Sequence, residues 1–148
     1  MPFYHVAFEN SKEEAENNLL NIISQYDYDY IVLAKFMRVL SPGFVSRFPN
    51  RLINIHHSFL PAFAGANPYR QAYERGVKLI GATAHFVTDE LDEGPIIAQQ
   101  IISADHSFTA PDMMKAGKEI ETAVLAKALR MVFDDRVFIC KNKTVVLE

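Results

Sequence analysis

Asn54 and His56, near the middle of this 148-residue chain, are the first residues whose types and spacing could do chemistry. They stand two residues apart, so an extended backbone carries both side chains to the same face of a sheet. Histidine can gain or lose a proton near neutral pH, and an asparagine amide can donate a hydrogen bond to a developing oxyanion. The pair predicts chemistry at a carbonyl group. His57 points the opposite way if the strand continues, or lies in the following loop if it does not.

An acidic segment later in the chain, residues 89–95, supplies a carboxylate for such a site. Asp92 can orient His56 and stabilise its protonated form, which is the usual role of a carboxylate beside a catalytic histidine. Residues 79–87 and 96–102 are rich in strand-forming side chains, and the loop between them is long for a hairpin. We therefore expect the two segments to meet and form one active site.

Each of these residues also has a structural interpretation. A histidine at a strand end more often makes structural hydrogen bonds, Asn54 could terminate its strand, and Asp92 could serve the turn that follows it. His56, His57 and His85 could share a metal, but their spacing is not diagnostic of a zinc site, so no metal is predicted. The residues alone indicate an α/β enzyme, with hydrolysis as one option.

The elements that must position these side chains alternate between helix and strand, as in doubly wound domains. Strands are predicted at residues 3–8, 30–34, 51–55, 79–87 and 96–102, with a hairpin at 136–147. Residues 30–34 have the unbroken apolar pattern of a parallel strand buried on both faces. Helices are predicted after the caps Ser11, Ser41 and Thr109, and at residues 68–75. The intervening stretch 57–68, with its prolines and glycine, is a predicted loop.

The composition is 49% hydrophobic and 22% charged, with a net charge of -3, which is typical of one compact cytosolic domain. The mild acidity argues against a nucleic-acid partner, because no basic surface is available to replace phosphate counterions. No apolar run reaches the roughly 20 residues needed to span a membrane, and no signal peptide is recognised. Cys140 lies in an apolar run and is expected to be buried and inert.

Three segments of the chain resemble the folate-dependent formyltransferase family. Residues 54–61 resemble its Asn-x-His signature, residues 81–97 its acidic-loop signature, and residues 34–41 the segment that lines its folate cleft. Within the family, the doubled histidine and residues 69–76 are most similar to the deformylase branch, whereas the glycinamide ribonucleotide branch usually carries proline at the position of His57. The resemblance implies a Rossmann-like α/β fold with an open mixed sheet flanked by helices.

The activity that this resemblance implies is hydrolysis of 10-formyltetrahydrofolate to tetrahydrofolate and formate, feeding purine synthesis, without a cofactor. Asn54 would bind the formyl oxygen and stabilise its tetrahedral oxyanion. His56 would help move a proton to the departing folate nitrogen, and Asp92 would hold the attacking water. The residues implied to line the substrate site are Arg38, Val39, Leu40, His57, Val87, Glu90 and Leu91.

The chain also departs from the family. Residues 1–148 resemble only part of the catalytic domain, because the regulatory ACT domain and the first two strands of the full domain have no counterpart. The predicted strand at 3–8 would then lack its proper neighbour and a central strand would become a sheet edge. Exposed edges seek partners, so a homo-oligomer that associates through that edge, or a disordered amino-terminal segment, is expected. Two alternatives remain open, namely formyl transfer to an amine and folate binding without turnover. Formate release in the absence of an amine would distinguish hydrolysis from both alternatives.

Overall fold

The computed structural model describes residues 2–8, 11–57 and 68–147. The helices are α1 (Lys12–Ile23), α2 (Pro42–Val45), α3 (Pro68–Arg75) and α4 (Ala110–Phe133), and the strands are β1 (Ile31–Ala34), β2 (Leu52–His56), β3 (Leu79–Phe86), β4 (Ile96–Ser103), β5 (Val137–Cys140) and β6 (Lys143–Val146). Most of the predicted loop at 57–68 lies outside the described residues. None of the described helices is long and apolar enough to cross a membrane.

Strands β1 to β4 form one open sheet in the order β1-β2-β3-β4, and β5 and β6 form a separate hairpin. β1 runs parallel to β2, whereas β2 with β3 and β3 with β4 are antiparallel. The sheet is therefore mixed, as predicted. The β2–β3 register places Asn54 opposite His85 and His56 opposite Thr83, and a bulge interrupts the β3–β4 ladder between Ala84 and His85.

Two apolar clusters cover the two faces of this sheet. The larger cluster contains Ile53 and Ile55 of β2 together with the buried face of α4. That face comprises Met113, Ile120, Val124 and Ala128, as the helical periodicity predicts. The smaller cluster holds Leu52 against α1 and α2. Side chains alternate along a strand, so Asn54 and His56 share the face of Leu52 and leave the sheet opposite α4.

The predicted helix caps are present. Ser11 accepts a hydrogen bond from the backbone N–H of Glu14, and Thr109 forms a reciprocal capping box with Asp112. Gly76 ends α3 with a φ of 67°, a left-handed conformation that glycine adopts without strain. The carboxylate of buried Glu16 accepts hydrogen bonds from the N–H and the hydroxyl of Ser41, the cap of α2. Helix α1 thereby anchors the chain immediately after residues 35–40.

The predicted strand at residues 3–8 is wrong, because residues 2–8 form no strand. A strand needs a neighbour for its backbone hydrogen bonds, and within the described chain β1 pairs with β2 alone. The segment is held by side chains instead. The Tyr4 and Tyr26 hydroxyls lie 2.7 Å apart, and the Phe8 ring packs against Phe36 and under the Arg38 guanidinium.

Strand β1 is not buried on both faces, contrary to the prediction. Ile31 and Leu33 pack against the α1–α2 cluster, but Val32 keeps 38% of its surface exposed. The reason is the position of β1 at one edge of the sheet, where α4 does not reach it. The uninterrupted apolar run at residues 30–34 therefore belongs to an edge strand that is covered on one face only.

Cys140 is exposed, which corrects the prediction of a buried thiol. It lies in β5, where Val137 and Ile139 turn towards the larger cluster while Phe138 and Cys140 turn outwards. A two-stranded hairpin has one covered face, so an apolar run of four residues leaves alternate members in solvent.

Candidate active site

Strand β2 ends at the site and delivers two of its side chains. Asn54 and His56 leave the strand on the same face, as their spacing predicts, and His56 is 7% exposed. The buried atoms His56 Nε2 and Asn54 Oδ1 have no hydrogen-bond partner within the described part of the chain. Unpaired buried polar atoms are costly, and in enzymes they mark positions that a ligand completes.

Asp92 reaches the same point from the loop between β3 and β4. One of its carboxylate oxygens lies 3.2 Å from His56 Nδ1, and the other lies 3.5 Å from His85 Nε2. The Asn54 amide nitrogen is 3.3 Å from the same His85 nitrogen. The two segments thus meet in the structure, as predicted. His85 lies between them and contacts both Asp92 and Asn54.

The histidines hold the pKa of Asp92 well below its ordinary range. The hydrogen bond from His56 is the largest cause and the contact with His85 the next, while partial burial of the carboxyl acts in the opposite direction. Asp92 is therefore a carboxylate at neutral pH. In that form it accepts hydrogen bonds only, which suits it to hold a water molecule and to stabilise a positively charged histidine.

His85 was considered from the sequence only as a possible metal ligand, and its place in this network was missed. Its Nδ1 lies 2.8 Å from the carbonyl oxygen of Phe86, so this nitrogen donates the proton in the hydrogen bond. In the neutral ring Nε2 then carries the lone pair and accepts from Asn54. His85 thereby fixes which way the Asn54 amide faces. When the ring carries a second proton, Nε2 donates to the Asp92 carboxylate instead, and it is in this form that His85 lowers the pKa of Asp92.

The backbone of the acidic loop is strained at Asp92 and tightly packed behind it. Asp92 has a φ of 55°, a left-handed conformation that costs a non-glycine residue about 1 kcal/mol. Gly94 lies against the Phe86 carbonyl, since a Cβ atom built on it would be 1.8 Å from that oxygen. The Phe86 N–H donates to the Pro95 carbonyl at 2.9 Å. Close packing on β3 thus fixes the loop that presents the carboxylate.

His57 lies beside the network. Its ring stacks on that of His56, with centroids 5.1 Å apart and an interplanar angle of 13°, and it faces the Tyr69 ring at 6.3 Å. The Tyr69 hydroxyl donates to Glu121 at 2.6 Å, and burial together with this bond raises the pKa of Tyr69. The His57 ring is thus held between the His56 ring and Tyr69 of α3. As the residue directly after His56, it was predicted to point away from the face that carries Asn54 and His56.

Every residue predicted for the site lines one cleft, which runs from residues 33–40 across the end of β2 to residues 87–92. The predicted lining residues are Arg38, Val39, Leu40, Asn54, His56, His57, Val87, Glu90, Leu91 and Asp92. The lining residues that were not predicted are Leu33, Lys35, Phe36, Met37, Ile55, His85, Thr88 and Asp89. Lys35, Phe36 and Met37 lie in the segment 34–41 that the resemblance assigned to the cleft, and Ile55, Thr88 and Asp89 each adjoin a predicted residue. His85 reaches the cleft through the pairing of β2 with β3.

Comparison with known proteins agrees with this architecture. A model of the formyl transferase family matches residues 2–129. The formyltetrahydrofolate deformylase of Haemophilus influenzae is 59% identical over 99% of this chain, which corresponds to 53% of that protein. The Bacillus subtilis deformylase is 54% identical over 99% of this chain and 49% of that protein. The chain therefore spans about half the length of the curated relatives it matches.

Solved structures show the same relationship in three dimensions. The formyltetrahydrofolate deformylase of Pseudomonas syringae pv. tomato superposes on 100% of this chain and 50% of its own, with a TM-score of 0.94 and 45% identity. Glycinamide ribonucleotide transformylase 1 of Symbiobacterium toebii covers 94% of this chain and 66% of its own, with a TM-score of 0.86 and 35% identity. With the matched sequence and the shared fold together, the chain belongs to the formyl transferase family.

Proposed function

We propose that this chain carries the catalytic machinery for hydrolysis of 10-formyltetrahydrofolate to tetrahydrofolate and formate. The observation that carries the proposal is the Asp92 carboxylate 3.2 Å from His56, with Asn54 across the same cleft. The names of the deformylases to which this chain is similar point to the same reaction. A carboxylate, a histidine and an amide donor at one point are the groups that hydrolysis of a formamide needs.

In the proposed mechanism, Asp92 orients a water molecule and accepts its proton as the oxygen attacks the formyl carbon. The Asn54 amide donates a hydrogen bond to the resulting oxyanion, and a positively charged His56 stabilises the same oxyanion. His56 then delivers a proton to the folate nitrogen, and the carbon–nitrogen bond breaks. The proton that Asp92 took from water returns to His56, and formate, one proton and the secondary amine of tetrahydrofolate leave. The reaction consumes one water and requires no resident cofactor, so chelating agents should leave turnover unchanged.

The substrate would lie along the cleft. Residues 38–40 and 87–91 form its two walls. Val39 and Leu91 keep 51% and 59% of their surface exposed, which leaves apolar area for a flat heterocycle to cover. We assign Arg38, Val39, Leu40, Val87, Glu90 and Leu91 to binding of the folate portion, and His57 to the region beside the reacting carbon.

A second candidate is transfer of the formyl group to an amine, since glycinamide ribonucleotide transformylase shares the fold. The histidine pair favours hydrolysis. The His57 ring, stacked on His56 and facing Tyr69, occupies space on the α3 side of the site and narrows the approach of a large amine. Water is small enough to be unaffected. Folate binding without turnover is a third outcome for a chain of this length.

Formate release from 10-formyltetrahydrofolate without any amine tests the proposal. The parent chain should release formate, and His56→Ala should lower the rate by about 100-fold or more, because the oxyanion and the leaving nitrogen lose their proton donor. His106→Ala, at an exposed histidine outside the cleft, is the matched control and should behave like the parent. Loss of the formyl group only when glycinamide ribonucleotide is added, with the formylated ribonucleotide and no formate as the product, would identify a transferase. Folate binding without formate would identify a binding segment.

We also propose that the protein acts in the cytoplasm as a homo-oligomer. Support for association comes from β1, which lies at one edge of the sheet formed by the described strands, with Val32 38% exposed. Analytical ultracentrifugation at micromolar concentration should show a species larger than the 16.8 kDa chain. A single species of that mass across the whole concentration range would contradict the oligomer.

A further inference from the structure

We infer that the β5–β6 hairpin positions Asp92, with Asn142 and Thr144 as the positioning residues. The inference deepens the proposed function, because the loop that the hairpin contacts carries the catalytic carboxylate. The hairpin itself contributes no side chain to the cleft formed by residues 33–40, 54–57 and 85–92. Its action on the reaction would therefore pass through the loop.

The base of the hairpin is rooted in the core. Val137, Ile139 and Val146 pack against the larger apolar cluster, beneath the end of α4. The Arg136 guanidinium donates to the Leu147 carbonyl at 2.6 Å, and the backbone N–H of Leu147 donates to the Arg136 carbonyl at 2.9 Å. One face of the hairpin is buried, and hydrogen bonds between Arg136 and Leu147 join the two ends of its strands. The hairpin is therefore firmly attached to the domain.

The other end of the hairpin reaches the acidic loop. The Asn142 amide donates to the Glu93 carbonyl at 2.9 Å, and the Thr144 hydroxyl donates to the Ile96 carbonyl at 2.5 Å. These two carbonyls bracket Gly94 and Pro95, and Glu93 is covalently adjacent to Asp92. Both hydrogen bonds join residues nearly fifty positions apart, so they exist only because the hairpin folds back on β4.

The loop is thereby held from two sides. On one side Gly94 and Pro95 pack against Phe86 of β3, and on the other the hairpin binds the carbonyls of Glu93 and Ile96. Asp92 occupies a left-handed backbone conformation at the start of this clamped segment. A strained conformation persists only where its surroundings impose it. The hydrogen bonds from Asn142 and Thr144 hold the loop on the side that faces away from β3.

Thr144 can be tested for its hydroxyl separately from its shape. Thr144→Val keeps the volume and removes the donor, whereas Thr144→Ser loses a methyl group and keeps the donor. If the residue only fills space at the sheet edge, serine is the more harmful replacement. If it positions the loop, valine is the more harmful one, and serine should restore function. Val145→Thr replaces a methyl group by a hydroxyl on the exposed face of β6 and is the matched control.

Two measurements on the same variants decide the question. The first is hydrogen exchange of the Phe86 and Glu93 amides, which donate to the Pro95 and Glu90 carbonyls of the loop, and it does not depend on activity. Loss of one hydrogen bond is expected to speed this exchange about 5-fold, and Asn142→Ala combined with Thr144→Val about 30-fold. The second is formate turnover, for which the double variant should lose about 10-fold or more in kcat while thermal unfolding remains a single transition. Thr144→Ser and Val145→Thr should stay within about 2-fold of the parent in both.

Unchanged exchange of the Phe86 and Glu93 amides in the double variant would overturn the inference, as would valine behaving better than serine at position 144. Faster exchange with unchanged kcat would overturn it as well, because the clamp would then have no consequence for Asp92. If the parent itself released no formate, the proposed function would fail separately. The exchange rates would still show whether the hairpin holds the loop.

Discussion

Replacing Asp92 by asparagine is expected to lower kcat for formate release by about 100- to 1,000-fold. The amide cannot accept the proton of the attacking water, and it gives His56 Nδ1 no negative charge at 3.2 Å. The side-chain shape is nearly unchanged, so folate binding should persist. The measurement is single-turnover formate release, with tetrahydrofolate binding followed by fluorescence. Near-normal turnover in the variant would remove Asp92 from the mechanism.

Asp27→Asn, at an exposed carboxylate outside the cleft, is the control and should keep the parent rate. Acid unfolding then separates chemistry from folding. The pKa of folded Asp92 lies below the ordinary value of about 3.9, so its stabilising contribution is complete above that pH and is lost as pH falls further. The free energy of unfolding of the parent should exceed that of Asp92→Asn at pH 6, and the difference should shrink below pH 4. A constant difference would contradict the pairing with His56.

Gly94→Ala is expected to be the most harmful small substitution outside the reacting side chains. The added Cβ would lie 1.8 Å from the Phe86 carbonyl oxygen and 2.9 Å from its carbon, both backbone atoms that cannot rotate away. The loop must move by more than an ångström, which carries Asp92 away from His56 and disturbs the carbonyl that fixes the His85 proton. We expect turnover to fall about 100-fold, with a loss of about 1–3 kcal/mol in the free energy of unfolding.

Gly43→Ala is the matched control, because the nearest atom to its Cβ would be the Ser41 hydroxyl at 3.9 Å. Only Gly76 among the described glycines has a left-handed backbone, so the effect at Gly94 tests close packing rather than conformational freedom. Steady-state formate release and urea unfolding measure both outcomes. Equal behaviour of the two alanine variants would show that the loop accommodates the methyl group and that its approach to β3 is not required.

Sequence analysis predicted the elements that depend on near neighbours in the chain. The caps Ser11, Ser41 and Thr109 and the buried stripe of α4 are present because each needs only residues within one or two turns. The shared face of Asn54 and His56 followed from the two-residue period of a strand. The residue types also indicated Asp92 as their partner, whereas the remaining cleft residues came from the family resemblance.

The errors fall where a segment depends on distant neighbours. Residues 3–8 have a strand-like sequence but pair with none of the described strands, and the apolar run at 30–34 could not by itself show that β1 lies at a sheet edge. Cys140 was expected to be buried because an apolar run does not reveal whether a strand is covered on one face or two. In each case the local sequence pattern is the same whether the segment has neighbours on both sides or on one side only. Only the packing of the whole domain distinguishes the two.

The candidate site divides in the same way. The sequence by itself determined which groups could act, because asparagine, histidine and aspartate have their hydrogen-bonding and proton-transfer chemistry in any fold. The tertiary structure decided their arrangement, since the β2–β3 register sets His85 opposite Asn54 and the hairpin meets the acidic loop across nearly fifty residues. Strand register and long-range docking are set by the summed packing of the whole domain, which no single stretch of sequence contains.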